Sequence, residues 1–293
     1  MHWGNGKMTP QDGSTTVEPG YDRWTADNYY QFYYRKSICR DERITLKCLV
    51  DYLASTPRRF ERALDYGCGP TLHNAIASAP YVEALDMADW SRDNLRTVRS
   101  WSHGEPNAHD WNLFTRYILG AEGSKIVKER DVLKREQRTR WVIGKLFRTD
   151  ARHRYPLGQG YTEHYDLLLS GYCLDCISSS QEIWQQCMRN VLATLAPGGR
   201  LFLNALWRCS AYQVKDQWFP CSEVDVDDLY ACLIDNGFER RTLDIQAFAY
   251  PDQQAYGYPG ILVALGRKKL RARRRATWHA PSLASYTRFA AVA

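Results

Sequence analysis

Apolar residues near the start of the chain recur at intervals of three and four between Trp24 and Leu53. This spacing places them on one side of a helix, and it predicts two helices ahead of the first strand. Residues 1 to about 20 lack such periodicity and are rich in Gly, Thr, Pro and Gln. A segment of this composition buries too little apolar surface to offset the entropy of ordering, so we expect a mobile N-terminal arm.

From residue 63 onward, short apolar runs alternate with segments of helical periodicity. The alternation predicts strands and helices in turn. The predicted strands cover residues 63–66, 81–87, 145–147, 166–170, 200–204, 241–249 and 260–265, and the predicted helices cover 72–78, 92–102, 181–195 and 225–236. Strands that alternate with helices form a mainly parallel sheet covered on both faces, so the pattern predicts a doubly wound α/β domain.

Two segments fall outside this alternation. Residues 105–143 lengthen the connection before the third strand and include a strongly charged, helix-prone stretch; we expect them to be a surface insertion. Residues 269–293 begin with a block of lysines and arginines, which is typical of a solvated basic tail. The predicted organisation is therefore an arm over residues 1–20, a single domain over 21–268 and the tail.

Composition excludes several classes of protein. The 293-residue chain has 44% hydrophobic and 25% charged residues, which is ordinary for a globular protein with a buried core. It contains neither a long uncharged apolar run nor a signal-peptide pattern, so we expect a cytoplasmic protein that does not enter membranes. Nine cysteines occur without two pairs at ligand spacing, and we therefore expect reduced thiols and no metal site.

The net charge of +6 raises one further hypothesis, because much of it lies in the C-terminal tail. A basic block of this kind could bind nucleic acid. The domain itself lacks an interleaved basic and aromatic pattern, so we do not expect nucleic acid as the main partner.

A glycine turn stands where a parallel sheet binds its ligands. Gly67 and Gly69 follow the first strand and precede a helix, at the carboxyl end of the sheet. A dinucleotide enzyme would have a third glycine for its pyrophosphate where this chain has Leu72. Asp89 ends the second strand, where a carboxylate could hold ribose hydroxyls. The turn and the acid predict a phosphate-free adenosyl cofactor, S-adenosylmethionine; the alternative is a tight turn and an acid that caps the next helix.

Further motifs accompany this turn. The stretch DYGCGPT at 65–71 is followed by ADWSRDNL at 88–95, Asp110-Trp111, and SGYCLD at 170–175. Together they resemble the nicotinamide, phenylethanolamine and indolethylamine N-methyltransferase family, which includes thioether S-methyltransferases. The resemblance covers roughly residues 22–268. It implies a Rossmann-like class I methyltransferase with a seven-stranded, mainly parallel sheet and N-terminal helices that form a lid. It also implies that S-adenosylmethionine is the methyl donor and S-adenosylhomocysteine the product.

The resemblance implies cofactor contacts residue by residue. The implied cofactor-binding residues are Tyr30, Gly67, Gly69 and Thr71 at the methionine portion, Asp89 and Asn94 at the ribose and adenosine, Asp150 and Ala151 at the adenine, and Ser170. His73 stands where the family often has an aromatic hydroxyl, and its role is open.

The acceptor side resembles the family less closely. Asp175 matches an acidic position that faces the acceptor in amine-methylating members, so we expect it to be the catalytic residue that accepts a proton. Ala205 and Cys209 stand where relatives have an acid or serines. Aromatic faces near the strand ends would attract a cationic ligand. The expected substrate-binding residues are Trp24, Tyr172, Asp175, Trp207, Arg208, Cys209 and Tyr212.

Two classes of small-molecule acceptor remain open. The first is an amine, a guanidine or a ring nitrogen, with Asp175 as the anchor. The second is a thioether amino acid such as methionine, whose sulfur needs no deprotonation and whose carboxylate would pair with Arg208 or Arg23. We favour nitrogen, and we expect a monomer or a homodimer.

Overall fold

The computed structural model describes residues 24–57, 59–250 and 258–270. The predicted N-terminal arm, Arg23 and nearly all of the predicted basic tail lie outside the described residues. Within the described ranges the chain forms eight α-helices and nine β-strands. No helix in these ranges combines the length and the apolar character needed to cross a bilayer.

The elements follow the predicted alternation. The helices are α1 (Ala26–Tyr33), α2 (Arg40–Ala54), α3 (His73–Ser78), α4 (Arg92–Ser102), α5 (Asn112–Ala121), α6 (Glu129–Val142), α7 (Gln181–Leu192) and α8 (Val226–Asp235). The strands are β1 (Phe60–Tyr66), β2 (Val82–Asp89), β3 (Ile143–Arg148), β4 (Tyr165–Gly171), β5 (Leu195–Trp207), β6 (Ala211–Val214), β7 (Gln217–Pro220), β8 (Asp244–Ala249) and β9 (Gly260–Arg267).

Seven of these strands form one sheet in the order β3-β2-β1-β4-β5-β9-β8. Strands β1 to β5 are parallel, whereas β9 runs antiparallel to both β5 and β8. This confirms the predicted mainly parallel, seven-stranded sheet. The strand order reverses between β1 and β4, and open α/β sheets bind ligands beyond the carboxyl ends of the strands at such a point.

Each face of the sheet has its own core, because successive side chains on a strand point to opposite faces. In β4, Leu167 and Leu169 join the core that α2, α3, α4 and α5 cover. Leu168 lies on the other face, in the core formed with α7 and α8. The sheet is therefore doubly wound, as predicted.

The expectation that residues 105–143 form a surface insertion is wrong. Trp111, Phe114 and Ile118 are buried in the same core as α2 and α3. The charged stretch is amphipathic: Val132 and Thr139 of α6 are buried, while Arg138 donates hydrogen bonds to the carbonyls of Ala79 and Val82. The abundance of charge concealed the apolar positions that fix these helices to the domain.

The hairpin formed by β6 and β7 is a second, two-stranded sheet that the sequence analysis missed. It is joined to α1, since the Tyr33 hydroxyl donates to the carbonyl of Gln213 and Lys215 donates to Asn28. Of the N-terminal helices that we expected to form a lid, α1 therefore pairs with this hairpin. Helix α2 instead packs against α3, α5 and β9.

The burial of α5 can be tested by a pair of substitutions on one helix. We expect Phe114→Ala, which removes a ring that is 1% exposed, to lower the free energy of unfolding by about 3–5 kcal/mol. Leu113→Ala, at a side chain that is 42% exposed, should cost less than about 1 kcal/mol. Urea denaturation measures both, and equal small losses would show that the helix lies outside the core.

Candidate active site

A cleft opens at the carboxyl ends of β1, β2 and β4, between these strand ends, α1 and the β6–β7 hairpin. The space within it is about 1190 Å³, which includes open solvent at its mouth. It is lined by Trp24, Tyr29, Tyr34, Tyr66, Gly67, Cys68, Gly69, Thr71, His73, Asn74, Asp89, Trp90, Ser91, Asn94, Thr149, Asp150, Ala151, Arg152, Gly171, Tyr172, Cys173, Cys176, Ile177 and Tyr212.

The glycine turn after β1 lies directly against the segment after β4. Gly67 has a φ of +71°, which L side chains rarely adopt, and a Cβ atom there would lie 2.0 Å from the Cys173 sulfur. Only glycine fits this position. The Gly67 N–H donates to the carbonyl of Ala88 at 2.7 Å, so the turn is also held to the end of β2.

The Asp89 carboxylate joins the turn to the start of α4. One oxygen accepts from the Gly69 N–H at 2.9 Å, and the other accepts from the Ser91 N–H at 2.8 Å and the Asn94 side chain at 3.0 Å. Burial raises the pKa of Asp89, while these hydrogen bonds oppose the rise. Each carboxylate oxygen has further acceptor capacity, so ribose hydroxyls could still bind here.

Helix α1 is attached to the same corner of the cleft. The Trp24 indole donates to the Asn94 side chain at 2.8 Å, and the Ala26 N–H donates to Asp93 at 2.9 Å. The Trp24 ring lies 4.5 Å from the Tyr29 ring between centroids. These contacts place an aromatic wall beside Asp89.

The loop after β3 forms the far side of this end of the cleft. Arg152 donates to both oxygens of Asp150, at 3.0 and 2.7 Å. Partial burial opposes ionisation of Asp150, but the hydrogen bonds and charge of Arg152 hold its pKa below the usual range. Ala151 is buried next to this pair, which leaves a small apolar surface of the kind that a purine could contact.

A buried polar network lies behind the aromatic wall. The Tyr29 and Tyr34 hydroxyls lie 3.4 Å apart, and the Tyr34 hydroxyl donates to Glu42 at 3.0 Å. The other Glu42 oxygen lies 3.7 Å from His73 Nε2. Burial raises the pKa of Glu42 to about 8 and lowers that of His73 to about 3, so His73 is neutral at physiological pH.

Two buried polar atoms in the cleft lack partners within the described structure. His73 Nδ1 and Asn74 Oδ1 make no hydrogen bond, although the two residues are only 6% and 5% exposed. An unpaired buried polar group costs about 1–3 kcal/mol, so such atoms indicate a ligand that completes them. The ammonium and carboxylate groups of an amino acid have the donors and acceptors required. A ligand with an adenosyl end and an amino-acid end therefore fits the residues present.

Comparison with known proteins identifies the family of this chain. Residues 14–269 match the model of the NNMT/PNMT/TEMT family. The chain belongs to this family. It is 24% identical to phenylethanolamine N-methyltransferase of Macaca mulatta, over 87% of this chain and 93% of the relative. It is 22% identical to nicotinamide N-methyltransferase of Sus scrofa, over 88% of this chain and 98% of the relative.

A solved structure of a possible exported protein from Bordetella parapertussis has the same fold. It aligns with a TM-score of 0.51 at 14% identity, over 84% of this chain and 80% of that one. The predictions of family, enzyme class and cofactor are thus confirmed. This member of the NNMT/PNMT/TEMT family is an S-adenosylmethionine-dependent methyltransferase of small molecules.

Most of the residues predicted for the site of this methyltransferase line the cleft. Among the predicted cofactor residues these are Gly67, Gly69, Thr71, Asp89, Asn94, Asp150 and Ala151, and among the predicted substrate residues Trp24, Tyr172 and Tyr212. His73, whose role the sequence left open, lines it as well.

Two predicted cofactor residues do not line the cleft. Tyr30 donates its hydroxyl to the Asp110 carbonyl at 2.8 Å, and its ring stacks on His109 with centroids 3.9 Å apart. Its neighbour Tyr29 lines the cleft instead, because adjacent residues of a helix point in different directions. Ser170 is buried and donates to the Tyr66 carbonyl at 2.9 Å, so its hydroxyl joins β4 to β1.

Asp175, the predicted catalytic residue, also lies outside the cleft lining. It is 2% exposed, and one of its oxygens accepts from the Leu206 N–H at 2.9 Å and from the Cys176 thiol at 3.4 Å. Burial raises its pKa to about 6, against the effect of these hydrogen bonds. The Asp175 carboxylate is therefore engaged within the protein and does not line the cleft.

Three predicted substrate residues at the end of β5 are likewise engaged elsewhere. Trp207 packs against the core beneath α7 and α8. Arg208 is mostly exposed and pairs with Asp225 at 3.2 Å. Cys209 is fully buried beside Cys221. The sheet alternation and the turn at Arg208, where φ is +48°, direct these side chains away from the cleft.

The sequence analysis missed several lining residues, notably Tyr34, Asn74, Cys173, Cys176 and Ile177. The sequence could have predicted Cys173, Cys176 and Ile177, since they follow the fourth strand at the point where the strand order reverses. It could not have predicted Tyr34, because this residue comes directly after α1 and the direction of its side chain depends on the path of the chain to α2.

The role of Asp89 in cofactor binding can be measured directly. We expect Asp89→Asn to weaken S-adenosylhomocysteine binding about 10- to 100-fold, since hydrogen bonds to a charged group contribute about 1.5–3 kcal/mol. Calorimetry measures this affinity. Asp51→Asn, at an exposed acid on α2, is the matched control. Near-normal affinity in Asp89→Asn would remove the adenosyl portion from this corner.

The buried Glu42 predicts a pH dependence of stability. A carboxyl whose pKa is higher in the folded chain than in the unfolded chain binds its proton more tightly when folded. The resulting stabilisation is present at low pH and is lost as the pH rises from about 4.5 to about 8. We expect Glu42→Gln to flatten the fall of unfolding free energy across this window, by at most about 1.4 kcal/mol per pH unit.

The control is Glu61→Gln, which alters an exposed glutamate on β1. Thermal melts of the three proteins between pH 4.5 and 8 compare the slopes. If the slope of Glu42→Gln equals that of the unaltered chain, Glu42 does not titrate in this window.

Proposed function

We propose that this methyltransferase transfers the methyl group to a nitrogen that keeps a free lone pair at neutral pH, in a small aromatic molecule. A pyridine-type ring nitrogen is the simplest example. The observation that carries the proposal is the composition of the cleft wall. Among the described residues that line it, the carboxylates are Asp89 and Asp150, and both lie at the end that fits an adenosyl group.

The remaining wall is aromatic. Tyr29 and Tyr172 face the cleft from α1 and from the end of β4, and Tyr212 faces it from the hairpin. Burial raises the pKa of both Tyr29 and Tyr172 well above the usual value, so these phenols stay neutral. Aromatic faces attract cations by about 0.5–2 kcal/mol each, which suits a product that carries a positive charge.

The aromatic side chains are held in fixed positions. The Tyr172 hydroxyl lies 2.8 Å from the Thr45 hydroxyl, and the backbone N–H of Tyr172 donates to the Asn204 carbonyl at 2.9 Å. Its backbone adopts a φ of +47°, an unfavourable conformation that surrounding structure must maintain. The Tyr212 ring stacks on Phe219 with centroids 5.3 Å apart. A wall of this rigidity can position a flat acceptor.

When bound, S-adenosylmethionine would supply a sulfonium methyl group, whose carbon an acceptor lone pair attacks in line with the breaking carbon–sulfur bond, with S-adenosylhomocysteine as the leaving group. The wall can place such a lone pair, and positioning alone accounts for a large part of such a rate enhancement. An aliphatic amine is protonated at neutral pH and would need a base, whereas a ring nitrogen needs none. The relatives are named for phenylethanolamine and nicotinamide, both of which carry an aromatic ring.

A thioether is the second candidate, because its sulfur also has a free lone pair at every pH. Cys176 and Ile177 line the cleft beside Tyr172, and this soft, uncharged surface suits sulfur as well as a ring. Two carboxylate partners were predicted for a thioether amino acid: Arg208 does not line the cleft and pairs with Asp225, and Arg23 lies outside the described residues. The contact of Arg208 with Asp225 favours the ring nitrogen.

A matched panel of acceptors tests the proposal. Pyridines, their saturated piperidine counterparts, aromatic amines and thioethers are each incubated with methyl-labelled S-adenosylmethionine. We expect pyridines to accept the label at least tenfold faster than piperidines at pH 7, because piperidine nitrogens are protonated there and the described wall offers no base to remove the proton.

The pH dependence separates the possibilities further. Piperidine turnover should rise about tenfold per pH unit toward the acceptor's own pKa, while pyridine turnover should stay flat. Labelling of thioethers alone would select the second candidate. Fast, pH-independent labelling of piperidines would contradict the proposal, since it requires a base in the cleft.

A further inference from the structure

Three thiols and one carboxyl group meet behind the acceptor wall, and we call Asp175, Cys176, Cys209 and Cys221 the thiol cluster. None of the four residues is more than 4% exposed. The Cys176 sulfur lies 3.4 Å from the Cys221 sulfur and 3.4 Å from Asp175 Oδ2. Ligand atoms of Asp175, Cys176 and Cys221 all lie within 4.8 Å of one another, and the Cys209 thiol is hydrogen-bonded to Cys221.

We propose that the thiol cluster binds a divalent cation of the zinc class, with the sulfurs of Cys176 and Cys221 and one Asp175 oxygen as its protein ligands. Thiolates and carboxylates are ordinary zinc ligands, and three of them leave the fourth tetrahedral position open. Cys176 also lines the cleft, which provides an entry path for the ion. The proposal goes beyond the methyl transfer and does not depend on which atom accepts the methyl group.

The spacing of the sulfurs favours a cation over a disulfide. Two thiolates on a tetrahedral zinc lie roughly 3.7 Å apart, given Zn–S distances of ~2.3 Å. The observed 3.4 Å between Cys176 and Cys221 differs from this by a few tenths of an ångström. A disulfide would require the sulfurs to approach to ~2.05 Å, and it would leave the carboxylate unused.

The binding step needs no oxidant or reductant. Two S–H bonds break, two sulfur–metal bonds and one oxygen–metal bond form, and the two thiol protons pass to solvent. Two thiolates, one carboxylate and a dication carry a net charge of −1. Affinity should therefore increase with pH as the thiols ionise.

A cation here would connect parts of the chain that are distant in sequence. Asp175 and Cys176 lie in the short 3-10 turn after β4, and Cys221 follows β7. Backbone hydrogen bonds already join these parts, since Ser222 donates to Asp175 at 2.9 Å and Cys221 to Ser210 at 2.8 Å. The ion would fix the hairpin that carries Tyr212 to the end of β4, and with it the acceptor wall.

Cobalt binding tests the site without any turnover assay. The full chain, without a histidine tag, is treated with a chelator under reducing conditions and titrated with Co²⁺. We expect one Co²⁺ per chain, with visible bands of tetrahedral cobalt and a thiolate-to-cobalt charge-transfer band, all lost when Zn²⁺ is added. Affinity should fall at least tenfold in Cys176→Ser and Cys221→Ser. It should be unchanged in Cys187→Ser, the control at a buried thiol on α7.

A second measurement uses the unaltered chain, so that it does not depend on the folding of the variants. Zn²⁺ should slow alkylation of Cys176 and Cys221 at least tenfold, and leave Cys187 unaffected, as read by mass spectrometry of the peptides. The proposal is overturned if reduced chain shows no saturable Co²⁺ binding, or if binding persists in both serine variants. It is equally overturned if Zn²⁺ protects neither of these two thiols.

Discussion

The carboxylate of Asp89 holds together the parts of the cleft. Its three hydrogen bonds join the glycine turn after β1 to the N-terminus of α4, and Asn94 extends the connection to Trp24 and α1. A buried carboxylate is stable only when such donors surround it. The positions of the glycine turn, the start of α4 and the aromatic wall therefore depend on the Asp89 carboxylate. Its oxygens keep lone pairs that can accept hydrogen bonds from a ligand.

The topology explains why these parts meet. The strand order reverses between β1 and β4, so the turns after both strands open toward the same crevice. Gly67 and Cys173 are in contact there, and the absence of a side chain at Gly67 is what permits the approach. The end of the cleft that fits an adenosyl group is built from the turns after β1, β2 and β3, and the proposed acceptor end is built from the turn after β4 and the hairpin. The separation of the two ends is thus a consequence of the topology.

The sequence predicted the local features well, because a strand, its turn and the next helix are specified by neighbouring residues. Gly67, Gly69 and Asp89 are such features, as is α4, whose predicted and observed bounds agree. The errors concern the directions in which individual side chains point. Tyr29 and Tyr30 are adjacent, and only the packing of α1 on α4 decides which faces the cleft. Asp175 matches the acidic position of the family motif at 170–175, but its side chain is buried within the protein.

Features made by distant segments could not be predicted from spacing. Cys176, Cys209 and Cys221 are separated by more than ten residues along the chain, so no ligand motif is visible, and we expected no metal site there. The folding of the hairpin onto the turn after β4 brings them together. The buried face of α6 was hidden for a similar reason, since its few apolar positions are recognised only once the neighbouring helix is in place.

The electrostatics of the acceptor end are consistent with a reaction that needs no base. Methyl transfer to a neutral nitrogen leaves the total charge in the cleft unchanged, because the positive charge only moves to a new atom. An uncharged wall of tyrosines interacts similarly with a cation before and after such a transfer. Interactions that are equal in the ground state and the transition state do not accelerate a reaction. In the proposed reaction the contribution of Tyr29, Tyr172 and Tyr212 is geometric: their fixed rings would exclude water and align the acceptor with the methyl group. The hydrogen bonds between Thr45 and Tyr172, and between Tyr34 and Glu42, hold this wall from behind and fit such a role.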